Sequence, residues 1–207
     1  MNAHNKAAVF DVGRVLFQWQ LRALFEKVIA DESELEWFLS NVVTEEWHFA
    51  HDRGTTLAEM LPARIAQFPD QAIRIAAYAA RFNETVPGPV AGVHDLVHRL
   101  DGAGVRLFCL TNFGHELFAQ FRVQHAIFDV FEDIVVSGTE QIAKPDARIY
   151  EIVEHRSGLS GEALFFTDDN PANVSAARDR GWDAHLFTDA ETLERQLIEA
   201  GLLAPAG

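Results

Sequence analysis

Short apolar runs alternate with helical patterns along most of this chain. The runs cover residues 7–11, 105–110, 134–136, 163–167 and 184–187, and their lengths and flanking turn residues predict buried strands. Between them, apolar residues recur about every 3.6 positions, as expected for amphipathic helices. The clearest sets are Val93, Leu96, Val97 and Leu100; Leu117, Phe118 and Phe121; and Ile149, Ile152 and Val153. This alternation predicts an α/β fold with a parallel sheet and helices on both faces.

The segment from residue 18 to residue 86 interrupts this alternation because it contains helical patterns only. The Pro-Gly-Pro stretch at 87–89 then predicts a stiff return to the sheet. We therefore predict a core domain built from residues 1–17 and 87–207, with an all-helical cap domain at residues 18–86. Because the insertion directly follows the first strand, it should cover the end of that strand.

Three local signals predict where helices of the insertion begin. Ser33 with Glu36, and Thr56 with Glu59, each match a capping box, in which the two side chains bond reciprocally to backbone N–H groups. Pro69 suits the first turn of a further helix, where its missing N–H is not needed.

Composition excludes several classes of function. The 207 residues include 17 basic and 31 acidic side chains, and the formal net charge is -14. Such a chain repels nucleic acid and anionic membranes, so neither is expected as a partner. The lone Cys109 lies in an apolar run and is expected to be a packed thiol. Residues 1–6 are polar and lack the apolar region of a signal peptide, which predicts a cytoplasmic protein.

Polar side chains of one chemical kind follow the predicted strands. In open parallel sheets, ligands bind beyond the carboxyl ends of the strands, so side chains placed there should meet. The residues at these positions are Asp11 after the first strand, Thr111 and Asn112 after the second, Lys144 in the loop after the third, and Asp168 and Asp169 after the fourth.

Each of these residues also has an ordinary structural interpretation. Asp11 fits a turn, Thr111 and Asn112 fit the cap of the following helix, and Lys144 fits a solvated loop charge. The acidic pair precedes Asn170, which suits a helix N-cap. Only the combination at one sheet edge favours a functional site.

Three neighbouring carboxylates require a cation. At 4 Å and an effective dielectric constant near 20, a like-charged pair costs roughly 4 kcal/mol. Mg²⁺ fits this site because it prefers oxygen ligands and is usually held by one or two carboxylates together with water and a substrate phosphate. Lys144 would supply a second positive charge to the same phosphate. The pattern therefore predicts a magnesium site that accepts a small phosphorylated metabolite.

The same residues predict a covalent reaction. An ionised Asp11 can attack phosphorus and form an aspartyl-phosphate that water later hydrolyses. The Thr111 hydroxyl and the Asn112 backbone N–H are placed to donate hydrogen bonds to the phosphoryl oxygens, where charge must be held in the transition state.

The ordered set of Asp11, Thr111, Lys144-Pro145 and Asp168-Asp169 resembles the four-motif signature of the haloacid dehalogenase superfamily. The resemblance implies a Rossmann-like core whose insertion is similar to a subclass I cap. The stretches Phe-Asp-Val-Gly-Arg-Val-Leu, Lys-Pro-Asp-Ala-Arg-Ile-Tyr and Phe-Phe-Thr-Asp-Asp-Asn further resemble the branch of bacterial sugar-phosphate phosphatases that act on alpha-glucose 1-phosphate. A sugar phosphate is the substrate that this implies.

The resemblance also assigns roles to the site residues. It implies that Asp11 is both nucleophile and metal ligand, that Gly13 offers its backbone carbonyl to Mg²⁺, and that Asp168 and Asp169 are further ligands. Most phosphatases of the superfamily carry a second Asp at the position of Gly13, where it protonates the leaving group and activates water. Glycine can do neither. His48 and His51 of the cap are candidate substitutes, although exposed or structural roles are more usual for such residues.

Several alternatives remain open at this point. Related dehalogenases use the same aspartate to displace halide from a 2-haloacid, without a metal and without the second Asp. Phosphonate hydrolysis would need a Schiff-base lysine, and Lys27 is the lysine of the cap. A phosphorelay receiver or a non-catalytic binding module uses similar residues, but receivers place the acidic pair on the first strand. Substrate identity and oligomeric state stay undetermined from the sequence.

Overall fold

The computed structural model describes residues 6–205 and shows seven strands within them. In chain order these are β1 (Ala7–Phe10), β2 (Phe17–Gln18), β3 (Gly88–Pro89), β4 (Arg106–Thr111), β5 (Asp133–Val136), β6 (Leu164–Asp168) and β7 (Asp183–Leu186). Five of them form one sheet in the order β5-β4-β1-β6-β7, and every neighbouring pair is parallel. The predicted α/β fold class is confirmed, and each of the five predicted strands lies within one residue of its observed bounds.

The central strand sets the register of the sheet. Residues Ala7 to Phe10 pair with Arg106 to Cys109 on one side and with Leu164 to Thr167 on the other. Strand β1 is thus bonded on both edges, and the residue that follows it lies in the middle of the carboxyl edge of the sheet. This position is the switch point at which open parallel sheets place their ligand sites.

Five helices lie between β2 and β3, and six follow β3, among the residues that the structure describes. Those of the insertion are α1 (Arg22–Phe25), α2 (Glu32–Asn41), α3 (Glu45–Asp52), α4 (Leu57–Gln67) and α5 (Ala72–Ala80). Those after it are α6 (Val93–Gly102), α7 (His115–Arg122), α8 (Ser137–Glu140), α9 (Ala147–Ser157), α10 (Pro171–Asp179) and α11 (Ala190–Glu199). The predicted insertion at residues 18–86 contains these first five helices, and Gln18 at its start belongs to β2.

The observed first residues of the helices test the three local signals that the sequence offered. The capping box of Thr56 and Glu59 is present at α4 and confirms that prediction. The prediction at Ser33 is wrong, because the Asp31 side chain accepts from the backbone N–H of Glu34 and starts α2 earlier. Aspartate is at least as good an N-cap as serine, and the earlier start leaves Ser33 inside the first turn. Pro69 opens a short 3₁₀ turn, which precedes α5.

Two hydrophobic clusters fill the faces of the sheet. In β1, Ala7 and Val9 point into one cluster, which α9 and α10 cover, while Ala8 and Phe10 point into the other. The second cluster runs without a break into the insertion, where Phe38 of α2 belongs to it. Since successive strand residues face opposite sides, a strand buried on both faces explains the continuous apolar run. Buried Cys109 belongs to this packing, as predicted.

The insertion leaves and re-enters the core through a small ribbon that the sequence did not predict. Strands β2 and β3 pair antiparallel, with Phe17 opposite Pro89 and Gln18 opposite Gly88. These strands are only two residues long, too short to produce a periodic pattern. Across residues 6–205, no helix combines the length and the apolar character needed to cross a membrane. The predicted polar stretch 1–6 lies outside the described residues except for Lys6.

Candidate active site

The candidate site lies at the carboxyl edge of the sheet, where the ends of three adjacent strands meet. Asp11 follows β1, Thr111 ends β4 and Asp168 ends β6. Because these strands are parallel and neighbours in the order β4-β1-β6, their terminal side chains project from one edge. The loop after β5 brings Lys144 to the same place, as its contacts show.

Lys144 joins two of the strand ends. Its Nζ lies 2.8 Å from Asp11 Oδ1 and 2.6 Å from Asp168 Oδ2, and it donates a third hydrogen bond to the carbonyl oxygen of Leu110 at 2.8 Å. The side chain is 1% exposed. All three donors of the ammonium are therefore used, and one buried positive charge is shared by two carboxylates.

Asn112 holds the backbone of this lysine. Its Nδ2 donates to the Lys144 carbonyl oxygen at 3.0 Å, and its Oδ1 accepts from the Lys144 backbone N–H at 2.8 Å. The reciprocal pair fixes the loop that carries the ammonium. Sequence reasoning considered the backbone N–H of Asn112 and missed this use of its side chain.

Asp168 is buried and fully engaged by neighbours. Besides Lys144, its oxygens accept from the backbone N–H of Asn170 at 2.8 Å and from Asn173 Nδ2 at 3.0 and 3.1 Å. Asn170 also caps α10 by accepting from the Ala172 N–H, as the sequence predicted. The strand end and the start of α10 are thereby tied together around one carboxylate.

Asp169 has a freer position than Asp168. Its side chain is 29% exposed, and its Oδ2 lies 3.9 Å from Arg14 Nη1. Burial and the charge of Asp168 raise the pKa of Asp169 above its ordinary value, while Arg14 acts against this shift. A positive charge at the cavity side of this carboxylate would favour its ionised form.

The three carboxylates form a set of oxygen donors suited to a hard cation. One oxygen from each of Asp11, Asp168 and Asp169 lies within 4.8 Å of the other two. Carboxylate oxygens at this spacing match the ligands that Mg²⁺ prefers. The residues present thus fit the predicted metal, with Asp11 and Asp169 having more free coordination capacity than Asp168.

The pKa values of Asp11 and Lys144 depend on burial and on the charge that each group places on the other. Burial raises the pKa of Asp11 to about 7, and the Lys144 ammonium acts in the opposite direction. Burial alone would lower the pKa of Lys144, but the charges of Asp11 and Asp168 raise it above its ordinary value. The lysine therefore stays charged. A cation bound beside Asp11 would lower the pKa of that carboxyl from its raised value.

Thr111 and Gly13 complete the predicted set. Thr111 is 1% exposed, and its Oγ1 finds no hydrogen-bond partner among the residues that the structure describes. Gly13 lies at the cavity, and a Cβ added there would meet nothing within 4 Å. The structure thus leaves a donor free at Thr111 and leaves room for a side chain at Gly13.

A cavity of about 490 Å³ lies between this floor and the insertion. Five of the predicted residues line it or flank it directly: Asp11, Gly13, Asn112, Lys144 and Asp169. The apolar part of its lining consists of Val12, Phe17, Trp19, Phe49, Phe82, Val86, Phe113, Phe121 and Pro145. Sequence reasoning missed the rings that the insertion contributes, among them Phe49 and Phe82.

The two histidines of the cap segment occupy different places. His48 lines the main cavity, and burial lowers its pKa to about 3. His51 lines a separate cavity of about 190 Å³, and its Nδ1 lies 2.8 Å from the carbonyl oxygen of Thr55. Its ring packs on Gly114 so closely that a Cβ there would lie 1.9 Å from it. Of the two, only His48 reaches the space above Asp11.

Comparison with known proteins identifies relatives of this chain. A family profile described as haloacid dehalogenase-like hydrolase matches residues 5–181. The sesquiterpene phosphatase astK of Aspergillus oryzae is 31% identical over 202 residues, which are 93% of this chain and 96% of that protein. An (S)-2-haloacid dehalogenase of Pseudomonas putida is 31% identical over 94 residues, which are 45% of this chain and 41% of that protein.

Solved structures share the fold at lower identity. A magnesium complex of the HAD family enzyme bt-2542 from Bacteroides thetaiotaomicron has a TM-score of 0.69 and 18% identity, covering 92% of this chain and 96% of that one. The L-2-haloacid dehalogenase of Xanthobacter autotrophicus has a TM-score of 0.62 and 17% identity, covering 96% and 84%. A HAD family enzyme that binds magnesium and a dehalogenase thus share this architecture, and the activity must be argued from the site.

Proposed function

The chain belongs to the haloacid dehalogenase-like hydrolase family, and from this premise we propose that it is a Mg²⁺-dependent phosphomonoester hydrolase. It works through an aspartyl-phosphate on Asp11. The observation that carries the proposal is the contact of Lys144 with both Asp11 and Asp168, beside a third carboxylate at Asp169. Two cations, one fixed and one bound, suit a dianionic phosphate better than a singly charged carboxylate substrate.

The metal would be held by Asp11, Asp169 and the backbone carbonyl of Gly13. Asp168 would assist as a ligand or through a bound water, because its oxygens already accept bonds from Lys144 and Asn173. When bound, Mg²⁺ supplies positive charge against the phosphoryl oxygens. The remaining chemistry belongs to the chain itself.

Each protein group has a defined part in the reaction. The Asp11 carboxylate attacks phosphorus in line with the leaving alcohol and becomes covalently phosphorylated. Lys144 neutralises the phosphoryl charge, and the unpartnered Thr111 hydroxyl donates to a phosphoryl oxygen with the Asn112 backbone N–H. Residues 18–86 act as a cap that keeps water from the transfer step.

The cavity supports a refinement of the substrate class. The sequence predicted a sugar phosphate, whose hydroxyls need polar partners. The walls above the phosphoryl position are instead rich in aromatic rings, among them Trp19, Phe49 and Phe82. Aromatic walls favour a hydrocarbon body, and the relative of Aspergillus oryzae is named for a sesquiterpene substrate. We therefore place phosphate esters of apolar, terpenoid-like alcohols ahead of sugar phosphates.

A 2-haloacid dehalogenase is the second candidate. Gly13, which lacks an acidic side chain, and the partial match to the Pseudomonas putida enzyme favour it. Against it stands the Asp168 and Asp169 pair, since a carboxylate substrate would be repelled by these groups unless a cation lay between them.

A substrate panel separates these candidates. The purified chain would be incubated with farnesyl phosphate, glucose 1-phosphate and 2-chloropropionate, each with Mg²⁺ and with EDTA. We expect phosphate release from farnesyl phosphate that is lost in EDTA and in Asp11→Asn. Halide release that persists in EDTA would replace the phosphatase by the dehalogenase, and preferential release from glucose 1-phosphate would restore the sugar phosphate as substrate.

A further inference from the structure

One buried carboxyl group among the cavity-lining residues of the insertion has an oxygen without a hydrogen-bond partner. Asp52 ends α3, is 4% exposed and belongs to the lining that also contains Asp11. Its Oδ1 finds no hydrogen-bond partner within residues 6–205. Leaving such an atom unpaired costs free energy, so each case in a native protein requires an explanation.

The other oxygen of this carboxyl group contacts buried His48, which Tyr78 contacts in turn. His48 Nε2 lies 3.3 Å from Asp52 Oδ2, and His48 Nδ1 lies 2.5 Å from the Tyr78 hydroxyl. On the core side, Ser137 Oγ donates to the Asp52 backbone carbonyl at 2.5 Å. These contacts fix the end of α3 against both domains and leave Oδ1 free.

The second Asp that most phosphatases of the superfamily carry is absent here, because Gly13 occupies its position. A Cβ at Gly13 meets nothing within 4 Å, so close packing does not require glycine there. The two other carboxylates on the insertion side of the cavity differ from Asp52. Glu45 pairs with Arg14 at 2.5 Å, and Glu46 is exposed to solvent.

We infer that Asp52 is the general acid and base of this hydrolase, supplied from the cap in place of a side chain at Gly13. The inference rests on the proposed phosphatase function. It assigns to Oδ1 the proton that the leaving oxygen receives, and to His48 and Tyr78 the positioning of the carboxyl group.

The surroundings set the protonation state of this group. Burial raises the pKa of Asp52 to about 7, opposed by the charges of His51 and Lys144. His48 stays neutral because burial lowers its pKa to about 3, and burial keeps the Tyr78 pKa well above its ordinary value. Beyond these, Glu116 faces His51 at 4.0 Å. At neutral pH, a large share of Asp52 therefore carries the proton.

The two half-reactions balance through this residue. In the first, the Asp11 oxygen bonds to phosphorus, the bond from phosphorus to the ester oxygen breaks, and the Asp52 proton passes to that oxygen to give the alcohol. In the second, the Asp52 carboxylate takes a proton from water as the water oxygen attacks phosphorus. The bond to Asp11 then breaks, which releases phosphate and restores both groups.

The test compares esters whose leaving groups differ in their need for a proton. General acid catalysis is typically worth about 10²–10⁴-fold, so Asp52→Asn should lower kcat/KM for octyl phosphate by about 100-fold or more. For p-nitrophenyl phosphate, whose phenolate leaves unaided, the loss should stay below about tenfold. Asp70→Asn, an exposed carboxylate of the same segment, serves as the matched control and should change neither value.

Two further measurements keep the result decisive. Adding Gly13→Asp to Asp52→Asn should restore much of the activity on octyl phosphate, since the site has room for the new side chain. In the wild type, kcat/KM for octyl phosphate should fall above about pH 7 while that for p-nitrophenyl phosphate stays level, because the protonated acid is lost as pH rises. This last readout needs no variant, so it also holds if Asp52→Asn lowers the melting temperature.

The outcomes separate this inference from the proposed function. Equal losses on both esters, or identical pH profiles for both in the wild type, would overturn the role of Asp52 and leave the phosphatase standing. Absence of phosphate release from every ester by the wild-type chain would overturn the phosphatase itself.

Discussion

The floor of the cavity lies at the carboxyl edge of the sheet, and its roof is the part of the lining that residues 18–86 supply. The two differ in how their polar atoms are bonded. On the floor, Lys144 and Asp168 are buried and bonded to one another and to neighbouring backbone and side-chain groups. On the roof, Asp52 Oδ1 and the indole Nε1 of Trp19 find no hydrogen-bond partner within residues 6–205. The bonded pair of Lys144 and Asp168 fixes this part of the floor and suits a step common to all substrates. The unpaired atoms on the roof are available to the part of the substrate that differs from one ester to another.

This contrast predicts that a change in the floor affects all esters alike. Lys144→Met should lower kcat/KM by about 10²–10³-fold for octyl and p-nitrophenyl phosphate equally, because the charge that faces the phosphoryl group is lost. It should also cost about 3–5 kcal/mol of unfolding free energy, since two buried carboxylates lose their partner. Urea denaturation and steady-state kinetics would measure these effects.

The exposed Lys27, which pairs with Glu84 at 3.2 Å, provides the matched control. Lys27→Met should leave both rates within about twofold of the wild type and change stability by less than about 1 kcal/mol. An active and stable Lys144→Met variant would contradict the assignment of the floor as the common catalytic part.

A change in the roof should instead depend on the substrate. Phe49→Ala removes an aromatic wall of the cavity and should lower kcat/KM for octyl phosphate by about tenfold, mainly through KM, because less apolar surface is buried on binding. The value for glucose 1-phosphate should change little. Parallel losses on the two esters would show that the ring supports the cap rather than the substrate.

A change in the ion pair that links floor and roof should have the smallest effect on the protein. Arg14 pairs with Glu45 of α3 at 2.5 Å, and both side chains are largely exposed. Arg14→Gln should therefore alter the free energy of unfolding by less than about 1 kcal/mol, with a smaller difference in high salt because exposed charges are screened. Urea titrations at two ionic strengths would check this, and a larger loss would indicate that this pair holds the cap closed.

The floor could be predicted because strand ends are visible in the sequence. An apolar run followed by a polar residue places that residue at the carboxyl edge, and parallel pairing brings such edges together. Asp11, Thr111 and Asp168 follow this rule directly. Lys144 followed from its position in the loop after the third predicted strand. Their roles in the reaction stay predictions until the variants are measured.

The roof was only partly predictable because its side chains are placed by helix packing. The helices of the insertion could be recognised, but which side of α3 faces the cavity depends on how it packs against the core. His48 was singled out, whereas Asp52 was missed. The missing signal was their spacing: residues four positions apart on a helix lie on the same face, so an acid at that distance shares the surroundings of His48.

The ribbon of β2 and β3 has a consequence for how this architecture can change. The chain enters and leaves the insertion at directly paired residues, Phe17 with Pro89 and Gln18 with Gly88. The covalent connection between the insertion and the core therefore lies at a single place. A different set of helices, or a tight turn, could be joined at β2 and β3 without disturbing the register of the five-stranded sheet. Substrate selectivity could then change while the residues at the carboxyl edge of the sheet keep their positions.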